Sequence, residues 1–539
     1  MRKRLIILGA GVMQMPAIKI AKELGFETIV VDGNPDAPYT HLADRFEHID
    51  LQDKEGILRL AETLKTEAAG LTGIMTAGTD FSASVAFAAE KLGLPGIPYE
   101  TALDASDKER MRRRFEAAGV PSPQFIILSA PPASLCGIAY PVVVKPVDNM
   151  GARGCRRVDT EQELHAAVEN ALHFSRSSRV IVEEYMDGPE FSLDAIVYRG
   201  EITLCGLADR HIFFPPYFIE MGHTIPADIT PETAAALLDV FTAGIRALGI
   251  TCGAAKGDIK LTAKGPMIGE IAARLSGGYM SGWTYPYSSG AQPTRGAILV
   301  AAGQPPDGLS PTRNWTSAER AFISIPGTVH SIQAPFQSNA EPAYGGMPRP
   351  FQSEGKAESA SGTASGTFLR VKAGDSVQFP ENNVSKCGNV ISAAPLREEA
   401  VKAAEDAVRA ILIRLRAPDA ATEAFLAAPL AEGKFPPDAF PVPPSVLDAL
   451  QKLPETNGGK SVWRLLPFPE FTESGLQDYV GRGVEESLDA VRALTGEALP
   501  TAKAGSGAVL GRGFWQAMIR GGYQGAAYYI EGNRKFGAE

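Results

Sequence analysis

The amino-acid sequence predicts an α/β protein that begins with a doubly wound βαβ domain, and three observations support this fold class. Short apolar runs alternate with helix-like segments over residues 1–105, as in a parallel sheet covered by helices. Two later stretches of alternating apolar residues, 257–261 and 267–271, flank a Gly-Pro turn and predict a β-hairpin. The chain has 539 residues, enough for roughly three or four domains of about 150 residues.

Composition narrows the class of protein. A hydrophobic fraction of 45% and a charged fraction of 21% are typical of a soluble globular chain. The net charge of −10 argues against a general nucleic-acid binder and gives no attraction to anionic membranes. The five cysteines are scattered without a C-x-x-C pair, which fits a reducing compartment. We therefore expect a cytoplasmic protein without nucleic-acid or membrane partners, and a homo-oligomer is left open.

The N-terminal domain is predicted from a strand at Leu5–Leu8, a glycine turn, and a second strand at Thr28–Val31. Short apolar runs of this kind are typical of buried parallel strands. Thr76 to Asp80 follow a third strand at the edge where open α/β sheets bind ligands, so this segment either lines a substrate site or only caps the next helix. The remaining predicted elements are strands at 73–76 and 96–97 and helices at 17–24, 54–65 and 82–92.

The glycine turn of this domain imitates a dinucleotide-binding fingerprint. Gly9 and Gly11 follow the first strand, and Asp32 ends the second, as in NAD-binding proteins. The third glycine of the fingerprint is missing, because Gln14 occupies its place. We therefore favour an architectural turn over NAD binding.

A lysine and a glycine-bearing loop follow one another in the next part of the chain. Asp107 is predicted to cap a helix that stops at Gly119. The apolar strand 142–144 leads into Lys145, whose place after apolar residues suits contact with an anion better than a role in solubility. Asp148–Gly154 then forms a loop whose backbone N–H groups are able to cover phosphates, although it lacks the residue order of a P-loop.

The predicted hairpin carries two carboxylates. Asp258 and Glu270 are expected to face each other across its strands and to point to the same side. Two close carboxylates repel each other unless a cation lies between them, and Mg²⁺ prefers such oxygen ligands. Arg274, four residues further on, has the planar fork that suits a phosphate or an acyl phosphate. The alternative is a solvent-facing hairpin with ordinary surface charges.

Residues 1–300 resemble the ATP-grasp ligases, and among them the biotin-carboxylase-like and carboxylate–amine ligase branch. All the motifs that carry the resemblance occur in the order found in that family, and Asp258 and Glu270 have the twelve-residue separation of the family. The motifs are Ser-Asp-Lys108 before a helix that ends in Ala-Gly-Val-Pro, Val-Val-Val-Lys145-Pro with its glycine loop, Val-Glu183-Glu-Tyr-Met186 followed by Gly-Pro-Glu190, and Asp258 with Gly-Glu270-Ile-Ala-Ala-Arg274.

The resemblance implies a modular architecture of α/β type with an α+β grasp. Residues 1–105 would be the pre-ATP-grasp domain, and residues 106–300 the two-lobed ATP-grasp domain with a lid subdomain at about 120–190. Residues 301–415 would form a small trailing domain with a flexible insertion at 338–366 and a final helix at 398–415. Residues 416–539 are an extra C-terminal extension outside the resemblance, for which the sequence predicts helices at 445–453 and 483–494 and aromatic residues that bury a core or an interface.

The resemblance also implies a role for each motif residue. ATP and Mg²⁺ (or Mn²⁺) are the expected cofactors, with Arg274 and Lys145 as the catalytic residues near the reacting carboxylate and γ-phosphate. The residues implied to bind ATP are Lys108, Lys145, Gly151, Ala152, Arg153, Gly154, the hinge residues Glu183 and Met186, and Glu190 at the ribose; those implied to bind metal are Asp258 and Glu270.

Two positions depart from the family pattern. The third metal ligand of the family is usually an asparagine two residues after the glutamate, and this chain has Ala272 there. An alanine cannot ligate a metal ion, so a second metal would be held less tightly, by water, or by a neighbouring side chain. Ala152 stands where a hydroxyl residue is common, which is a milder change because backbone N–H groups contact the phosphates there.

The substrate side is predicted around an aromatic and proline-rich segment, 209–226, which we expect to be a long loop that meets the acceptor. His223 either deprotonates an attacking amine or is a packed, satisfied side chain, and the residues leave both open; for His211 the packed side chain is favoured. The substrate candidates are Arg210, Glu220, His223, Ser276 and Gly277.

These observations predict an ADP-forming ligase that joins a small-molecule carboxylate, such as an amino acid or a peptide, to an amine through an acyl phosphate. One alternative is a bicarbonate- or carbamate-activating carboxylase of the same superfamily. Another is a nucleotide-binding regulator with a weakened metal site, which Ala272 makes conceivable.

Overall fold

The computed structural model of the protein describes residues 2–334, 364–430, 434–455, 463–465, 468–496 and 508–534. Within these ranges no helix combines the length and the apolar character that a membrane span requires. Most of the predicted insertion, residues 338–363, lies outside the described residues, and residues 364–366 begin a strand.

The N-terminal domain is a four-stranded parallel sheet in the order β3-β2-β1-β4. Its strands alternate between two cores: Leu5 and Ile7 pack on one face, and Ile6 and Leu8 on the other. The predicted doubly wound sheet is confirmed, but residues 96–97 lie in a loop. The elements are β1 (Arg4–Leu8), α1 (Met15–Glu23), β2 (Glu27–Asp32), β3 (Arg45–His48), α2 (Lys54–Thr66), β4 (Leu71–Thr76), α3 (Ser82–Leu92) and α4 (Tyr99–Asp104), with a 3₁₀ turn at Thr40–Leu42.

A small antiparallel sheet in the order β5-β8-β6-β7 forms the next lobe. The side chain of Asp107 accepts from the Arg110 backbone N–H and so caps the connecting helix, which Gly119 ends in a left-handed conformation with φ 66°. The elements are α5 (Lys108–Ala118), β5 (Phe125–Leu128), β6 (Val142–Pro146), β7 (Arg156–Val158), α6 (Glu161–Phe174) and β8 (Val180–Glu184).

The largest element of the fold is an eight-stranded antiparallel sheet in the order β13-β12-β9-β10-β11-β14-β18-β16. It runs across residue 300, where the sequence places a domain boundary, so the trailing domain extends the sheet of the preceding lobe. Its strands are β9 (Glu190–Tyr198), β10 (Glu201–Phe213), β11 (Ile219–Ile225), β12 (Cys252–Thr262), β13 (Gly265–Ala272), β14 (Thr316–Phe322), β16 (Ala364–Leu369) and β18 (Gly388–Ala394).

Further elements cover this sheet or follow it. The helix predicted at 398–415 is wrong at its end, since α10 stops at Ala410 and residues 412–415 are a strand. A three-stranded sheet has the order β17-β15-β19. The elements are α7 (Pro231–Leu248), α8 (Tyr285–Ser288) after a π-helical turn at Met280–Thr284, α9 (Pro293–Ala301), β15 (Gly327–Gln333), β17 (Ser376–Val377), α10 (Arg397–Ala410) and β19 (Leu412–Leu415).

The predicted long loop at 209–226 is wrong: most of this segment is a β-hairpin. Strand β10 extends to Phe213 and strand β11 begins at Ile219, so Pro215 and Pro216 lie in the turn, where a missing N–H breaks no strand pairing. The hairpin that carries Asp258 and Glu270 is confirmed, with its turn at 263–264 and with Gly265 already in β13.

The C-terminal extension folds around its own apolar core, which contains the aromatic residues Phe440, Phe471, Phe514 and Trp515. It also contacts the turn of the β10–β11 hairpin. Its elements are α11 (Ala420–Ala427), α12 (Pro444–Gln451), β20 (Trp463–Leu465), α13 (Pro469–Thr472), α14 (Val484–Thr495), β21 (Ala508–Leu510) and α15 (Arg512–Arg534), which is interrupted at Gly522.

An aromatic cluster joins this extension to the hairpin turn. The ring centroids of Tyr217 and Phe435 lie 4.6 Å apart, and those of Phe214 and Tyr479 lie 6.0 Å apart. Phe379 packs between them, 5.1 Å from Tyr479. Such edge-on pairs contribute about 1 kcal/mol each beyond the area that they bury. The extension therefore packs against the turn of the hairpin.

Candidate functional site

The two predicted phosphate-binding lysines lie near each other, since the charges of both act to lower the pKa of Glu270. Lys108, 6% exposed, begins α5, and its Nζ donates to the Asn149 carbonyl at 2.8 Å. The same Nζ is 3.8 Å from a carboxylate oxygen of Glu270. Lys145 extends from β6, and its Nζ is 2.6 Å from Oε2 of Glu183. Both ammonium groups are thus fixed by protein partners before any ligand is considered.

Glu183 forms a buried ion pair that the sequence did not predict. Its other oxygen accepts from Nε of Arg112 at 2.8 Å, and Arg112 also donates to the Gly269 carbonyl at 2.5 Å. Burial acts to raise the pKa of Glu183, but Arg112 and Lys145 outweigh burial and hold the pKa below its usual value. The side chain of Glu183 therefore positions Lys145, and the residue itself is paired on both sides of β8, with Phe125 of β5 and Val143 of β6. Its predicted contact with adenine stays a prediction.

The glycine-bearing loop has a left-handed backbone at Gly151, Ala152 and Gly154, with φ of 67°, 60° and 68°. Glycine adopts this conformation readily, whereas Ala152 does so at a steric cost of roughly 1 kcal/mol. Nε of Arg153 donates to Oδ1 of Asn149 at 3.1 Å. The Gly151 carbonyl accepts from the Asn383 N–H at 2.9 Å, so the loop contacts the trailing domain.

Asp258 and Glu270 are cross-strand partners on β12 and β13, as predicted. Asp258 accepts from Oγ of Ser192 at 2.8 Å, contacts the ammonium of Lys256, and lies 3.4 Å from Arg210. Burial acts to raise the pKa of each carboxyl, but the neighbouring cations outweigh burial and lower both pKa values. Both side chains are therefore carboxylates at neutral pH and present their charge to the cleft.

The two carboxylates suit one divalent cation. Oxygen ligands on one face of a hairpin, with room for phosphate oxygens as further ligands, are the donor set that Mg²⁺ takes beside a nucleotide. Within the described ranges, no three His, Cys, Asp or Glu side chains gather in a metal-binding arrangement. Asp258 and Glu270 are thus able to contribute two ligands, and the remaining ligands would come from phosphate and water.

The hinge and the predicted ribose-binding acid meet a second pair of cations. Lys260 Nζ donates to the Met186 carbonyl at 3.2 Å and lies 3.7 Å from Glu190. Glu190 also pairs with Arg210. The carbonyl of Met186 and the carboxylate of Glu190 thus lie on one side of the cleft, although both have protein partners here.

Arg274 links the N-terminal domain to the site. Its Nε is 3.2 Å from Oδ1 of Asp80, in the segment that follows β4, and Gly78 N–H donates to the Leu275 carbonyl at 3.2 Å. Burial acts to lower the pKa of Arg274, but Asp80 and Glu270 outweigh burial and raise the pKa. The segment 76–80 therefore borders the site. This position favours the predicted role of lining a substrate site over that of only capping the next helix.

The predicted substrate residues Arg210, Glu220 and His223 come together on the β10–β11 hairpin. Arg210 and His223 are cross-strand partners. Arg210 donates to Glu220 through Nε at 3.0 Å and Nη2 at 2.9 Å. Burial acts to raise the pKa of Glu220, but His223 in its protonated form, Arg210 and Lys386 outweigh burial and hold the pKa well below its usual range. His211 points to the other face, where it pairs with Thr224, and burial lowers its pKa to about 3.

His223 belongs to a buried group that we name the acid–imidazole cluster: Glu220, His223 and Glu319. Nδ1 of His223 is 3.0 Å from Oε2 of Glu319, whose other oxygen accepts from Asn389. Nε2 of His223 has no hydrogen-bond partner among the described residues and lies 3.7 Å from Oε2 of Glu220. The acceptor at Nδ1 favours a proton on that nitrogen, which leaves Nε2 free to accept one.

The two remaining substrate candidates, Ser276 and Gly277, lie beside this cluster. The buried carboxylate of Asp194 accepts from the Ser276 N–H at 3.2 Å and from the Tyr285 hydroxyl at 2.9 Å. Oγ of Ser276 is buried without a partner in the described part of the chain. A side chain at Gly278, with φ 60°, would come within 3.0 Å of Glu220 and His223, so this backbone passes directly against the cluster.

Asp194 gives a prediction on pH. Burial raises the pKa of Asp194 to about 6, above its ordinary value of 3.8. Between these values the folded state binds more protons than the unfolded state, so stability falls as pH rises from about 4 to about 6. Asp194→Asn keeps an acceptor for Ser276 and a partner for Tyr285, and we expect it to remove this fall. Unfolding midpoints in urea at pH 4, 5, 6 and 7 measure it; equal pH dependence in both proteins would contradict the prediction.

The glycine turn of the N-terminal domain is filled by protein groups. Asp32 accepts from the Ala10 N–H at 2.8 Å and from the Asn34 N–H at 2.8 Å. The Gln14 side chain accepts from Gly11 and lies against Gly9. These contacts support the architectural interpretation of this turn.

Several residues of the site escaped sequence reasoning. Arg112 lies in a helix rich in arginine, and Glu319 lies beside Arg320 in a strand of mixed polar and apolar residues, so neither stands out in the sequence. Most of the others have partners that are far away in the chain. The missed residues are Arg112, Asp194, Lys256, Lys260, Tyr285, Glu319, Asn383, Lys386 and Asn389.

Comparison with known proteins yields three matching family models. An ATP-grasp domain matches residues 138–282, an ATP-grasp N-terminal domain matches residues 18–96, and an L-amino acid ligase C-terminal domain 2 matches residues 365–416.

Individual relatives share parts of this chain. An uncharacterized protein of Sinorhizobium fredii is 30% identical over 214 residues, which are 38% of this chain and 44% of that protein. Carnosine synthase 1 of Gallus gallus is 24% identical over 331 residues, which are 56% of this chain and 36% of that protein. The chain thus spans about two fifths of the length of the curated relatives that it matches.

A solved structure shows the same fold. The L-amino acid ligase from Bacillus licheniformis has a TM-score of 0.61 and 21% identity, and the match covers 77% of this chain and 99% of that one. The matched models agree with the resemblance in the sequence: residues 138–282 carry an ATP-grasp domain, and residues 18–96 carry an ATP-grasp N-terminal domain.

Proposed function

We propose that the protein is an ADP-forming ligase that joins a small-molecule carboxylate to an amine through an acyl phosphate. Amino acids or short peptides are the proposed substrates. The observation that carries the proposal is the position of the acid–imidazole cluster beside Arg210. This arginine contacts the ribose-side acid Glu190, the metal-side acid Asp258 and the cluster acid Glu220. A substrate held by the cluster would therefore lie next to the nucleotide phosphates.

The reaction brings a carboxylate against a triphosphate, so the site must offset negative charge. Lys108, Lys145 and Arg274 are three buried or half-buried cations with fixed partners, and they supply that charge without reorganising. A bound Mg²⁺ or Mn²⁺ would add Lewis-acid polarisation of the phosphate oxygens. Preorganised charge of this kind, together with positioning, accounts for most of catalysis in phosphoryl transfer.

The acid–imidazole cluster suits an amino group. Oε2 of Glu220 and Nε2 of His223 are 3.7 Å apart, and the imidazole nitrogen lacks a partner among the described residues. A substrate amine placed between them would donate to both. His223, held at Nδ1 by Glu319, is able to take the proton released when an amine attacks an acyl group.

The closing of the site has a structural basis in the glycine-bearing loop. An acyl phosphate reacts with water, so the loop over the phosphates must exclude solvent during turnover. Asn383 contacts the loop at Gly151 and accepts from the Glu220 N–H at 2.8 Å through its side chain. The loop and the substrate strand thus share one residue of the trailing domain.

The comparisons with known proteins support the proposed type of reaction, but they do not identify the substrates. The trailing segment 365–416 matches a domain described for L-amino acid ligases, and carnosine synthase 1 is named for making a peptide-like product. The predicted carboxylase and regulator remain as outcomes of the test below.

The test is ADP release from ATP and Mg²⁺ with pairs of amino acids and dipeptides, with the product identified by mass. We expect release with a subset of pairs and one condensed product per ADP. Glu220→Gln should lower this turnover at least about 100-fold, because it weakens both the predicted amine contact and the buried ion pair with Arg210. Glu201→Gln, at an exposed position at the start of the neighbouring strand β10, is the control. Release with bicarbonate alone would indicate a carboxylase, and nucleotide binding without turnover a regulator.

A further inference from the structure

Lys256 occupies the face of the β12–β13 hairpin from which a metal ligand is missing. It lies two residues before Asp258, and its cross-strand partner is Ala272. Cross-strand partners project to the same face of a sheet, so the lysine side chain rises from the strand beside the alanine methyl. Ala272, 3% exposed, has no donor oxygen, while the Lys256 side chain is 12% exposed and reaches the cleft.

The ammonium of Lys256 is held within the group of carboxylates. It contacts Oδ2 of Asp258 directly. Its charge also acts to lower the pKa values of Glu270 and Glu220, so its field reaches all three acids. Arg210 lies 3.4 Å from the same oxygen of Asp258, so this oxygen already faces two cations.

A second divalent ion would need further oxygen ligands, which this face of the hairpin lacks. Asp258 and Glu270 are two carboxylates for two ions, and the residue two positions after Glu270 contributes only a methyl group. A divalent ion placed near Ala272 would also lie beside the Lys256 ammonium, and like charges at about 4 Å repel strongly in a cleft of low dielectric constant. The donor set therefore fits one ion and disfavours two.

We propose that Lys256 takes the place of the second divalent cation, so that the site binds one divalent ion for each nucleotide. This inference rests on the proposed nucleotide site. The ammonium offsets the negative charge of Asp258 and of the phosphates without occupying a coordination sphere, and it is supplied by the chain at any metal concentration.

The test counts metal ions directly. Mn²⁺ is titrated into the full chain saturated with an equimolar non-hydrolysable ATP analogue, and free Mn²⁺ is followed by electron paramagnetic resonance. We expect one bound Mn²⁺ per chain for the wild type. For the double variant with Lys256→Ala and Ala272→Asn, which removes the ammonium and adds a ligand oxygen, we expect two.

Two bound Mn²⁺ ions in the wild type would overturn the inference, and so would a count of one in a folded double variant. Absence of nucleotide binding would overturn the proposed function together with it, so the two failures are distinguishable. Because the double variant alters a buried face, Lys256→Met is measured as well. It should keep a count of one and weaken binding of the analogue at least tenfold; unchanged affinity would contradict the inference.

A matched control is present on the same hairpin. Lys264 lies in its turn, 73% exposed, and its ammonium pairs with Glu184 at 3.1 Å. Lys264→Ala should leave both the Mn²⁺ count and the affinity for the analogue at wild-type values. An equal loss of affinity in Lys264→Ala and Lys256→Met would indicate a general effect of net charge and would overturn the specific role of Lys256.

Discussion

Replacing Lys145 with alanine is expected to lower the rate of ADP formation by about 10³-fold, because it removes a preorganised cation from the predicted phosphate site. The ammonium is 2.6 Å from Glu183 and is therefore fixed in the cleft. The measurement is ADP release at saturating ATP, with Lys402→Ala as the control; Lys402 is 72% exposed on α10.

The same substitution has a second effect that must be separated from the first. Glu183 would keep only Arg112 as a partner, and breaking a buried ion pair costs about 3–5 kcal/mol when a charge is left alone. We expect Lys145→Ala to destabilise the fold by less than this, because Arg112 remains. Adding Glu183→Gln should recover part of the stability and none of the activity. Recovery of activity in the double variant would contradict a role of Lys145 in phosphate binding.

Replacing Glu270 with glutamine is expected to abolish turnover within detection, at least about 10³-fold, while the protein stays folded. Glutamine has the shape of glutamate but lacks its charge, so it binds a divalent ion poorly. Glu270 is also 3.8 Å from Lys108, and the loss of this carboxylate leaves the lysine with a single neutral partner, the Asn149 carbonyl. Two readings test the prediction: ADP release over a range of Mg²⁺ and Mn²⁺ concentrations, and the affinity for Mn²⁺ in the presence of the ATP analogue.

The rate of ADP release and the affinity for Mn²⁺ should fall together in Glu270→Gln, and excess metal should restore little of the activity. Glu201→Gln serves as the surface control on strand β10. Full activity in Glu270→Gln would refute the assignment of this hairpin as the metal-binding face, because no other carboxylate is paired with Asp258 across the strands.

Features with a local cause could be predicted from the sequence. The helix predicted between Asp107 and Gly119 is confirmed at both ends, because the Asp107 side chain caps it and Gly119 ends it with φ 66°. The facing of Asp258 and Glu270 followed from strand alternation and a short turn. The motif order also led from the residues to the superfamily.

Features that depend on distant partners could not be predicted. Glu319 pairs with His223, which is 96 residues earlier in the chain, and Glu183 pairs with Arg112, which is 71 residues earlier. No periodicity encodes such pairs, since they arise only when two elements pack. The hairpin at 209–226 was predicted as a loop because its prolines and aromatic residues obscure the alternation; Phe214 and Tyr217 in fact pack against the C-terminal extension.

The aromatic cluster at the hairpin turn has a consequence for variants in which the C-terminal extension is removed or exchanged. Phe214 and Tyr217 of the hairpin pack on Phe435 and Tyr479 of the extension, while the strand that follows this turn carries Glu220 and His223. A gene fusion or a truncation that separated residues 416–534 from the rest would leave these rings facing water and would release the strand at its tip. The extension and the hairpin therefore share one packed junction, which a variant without residues 416–534 is expected to lose.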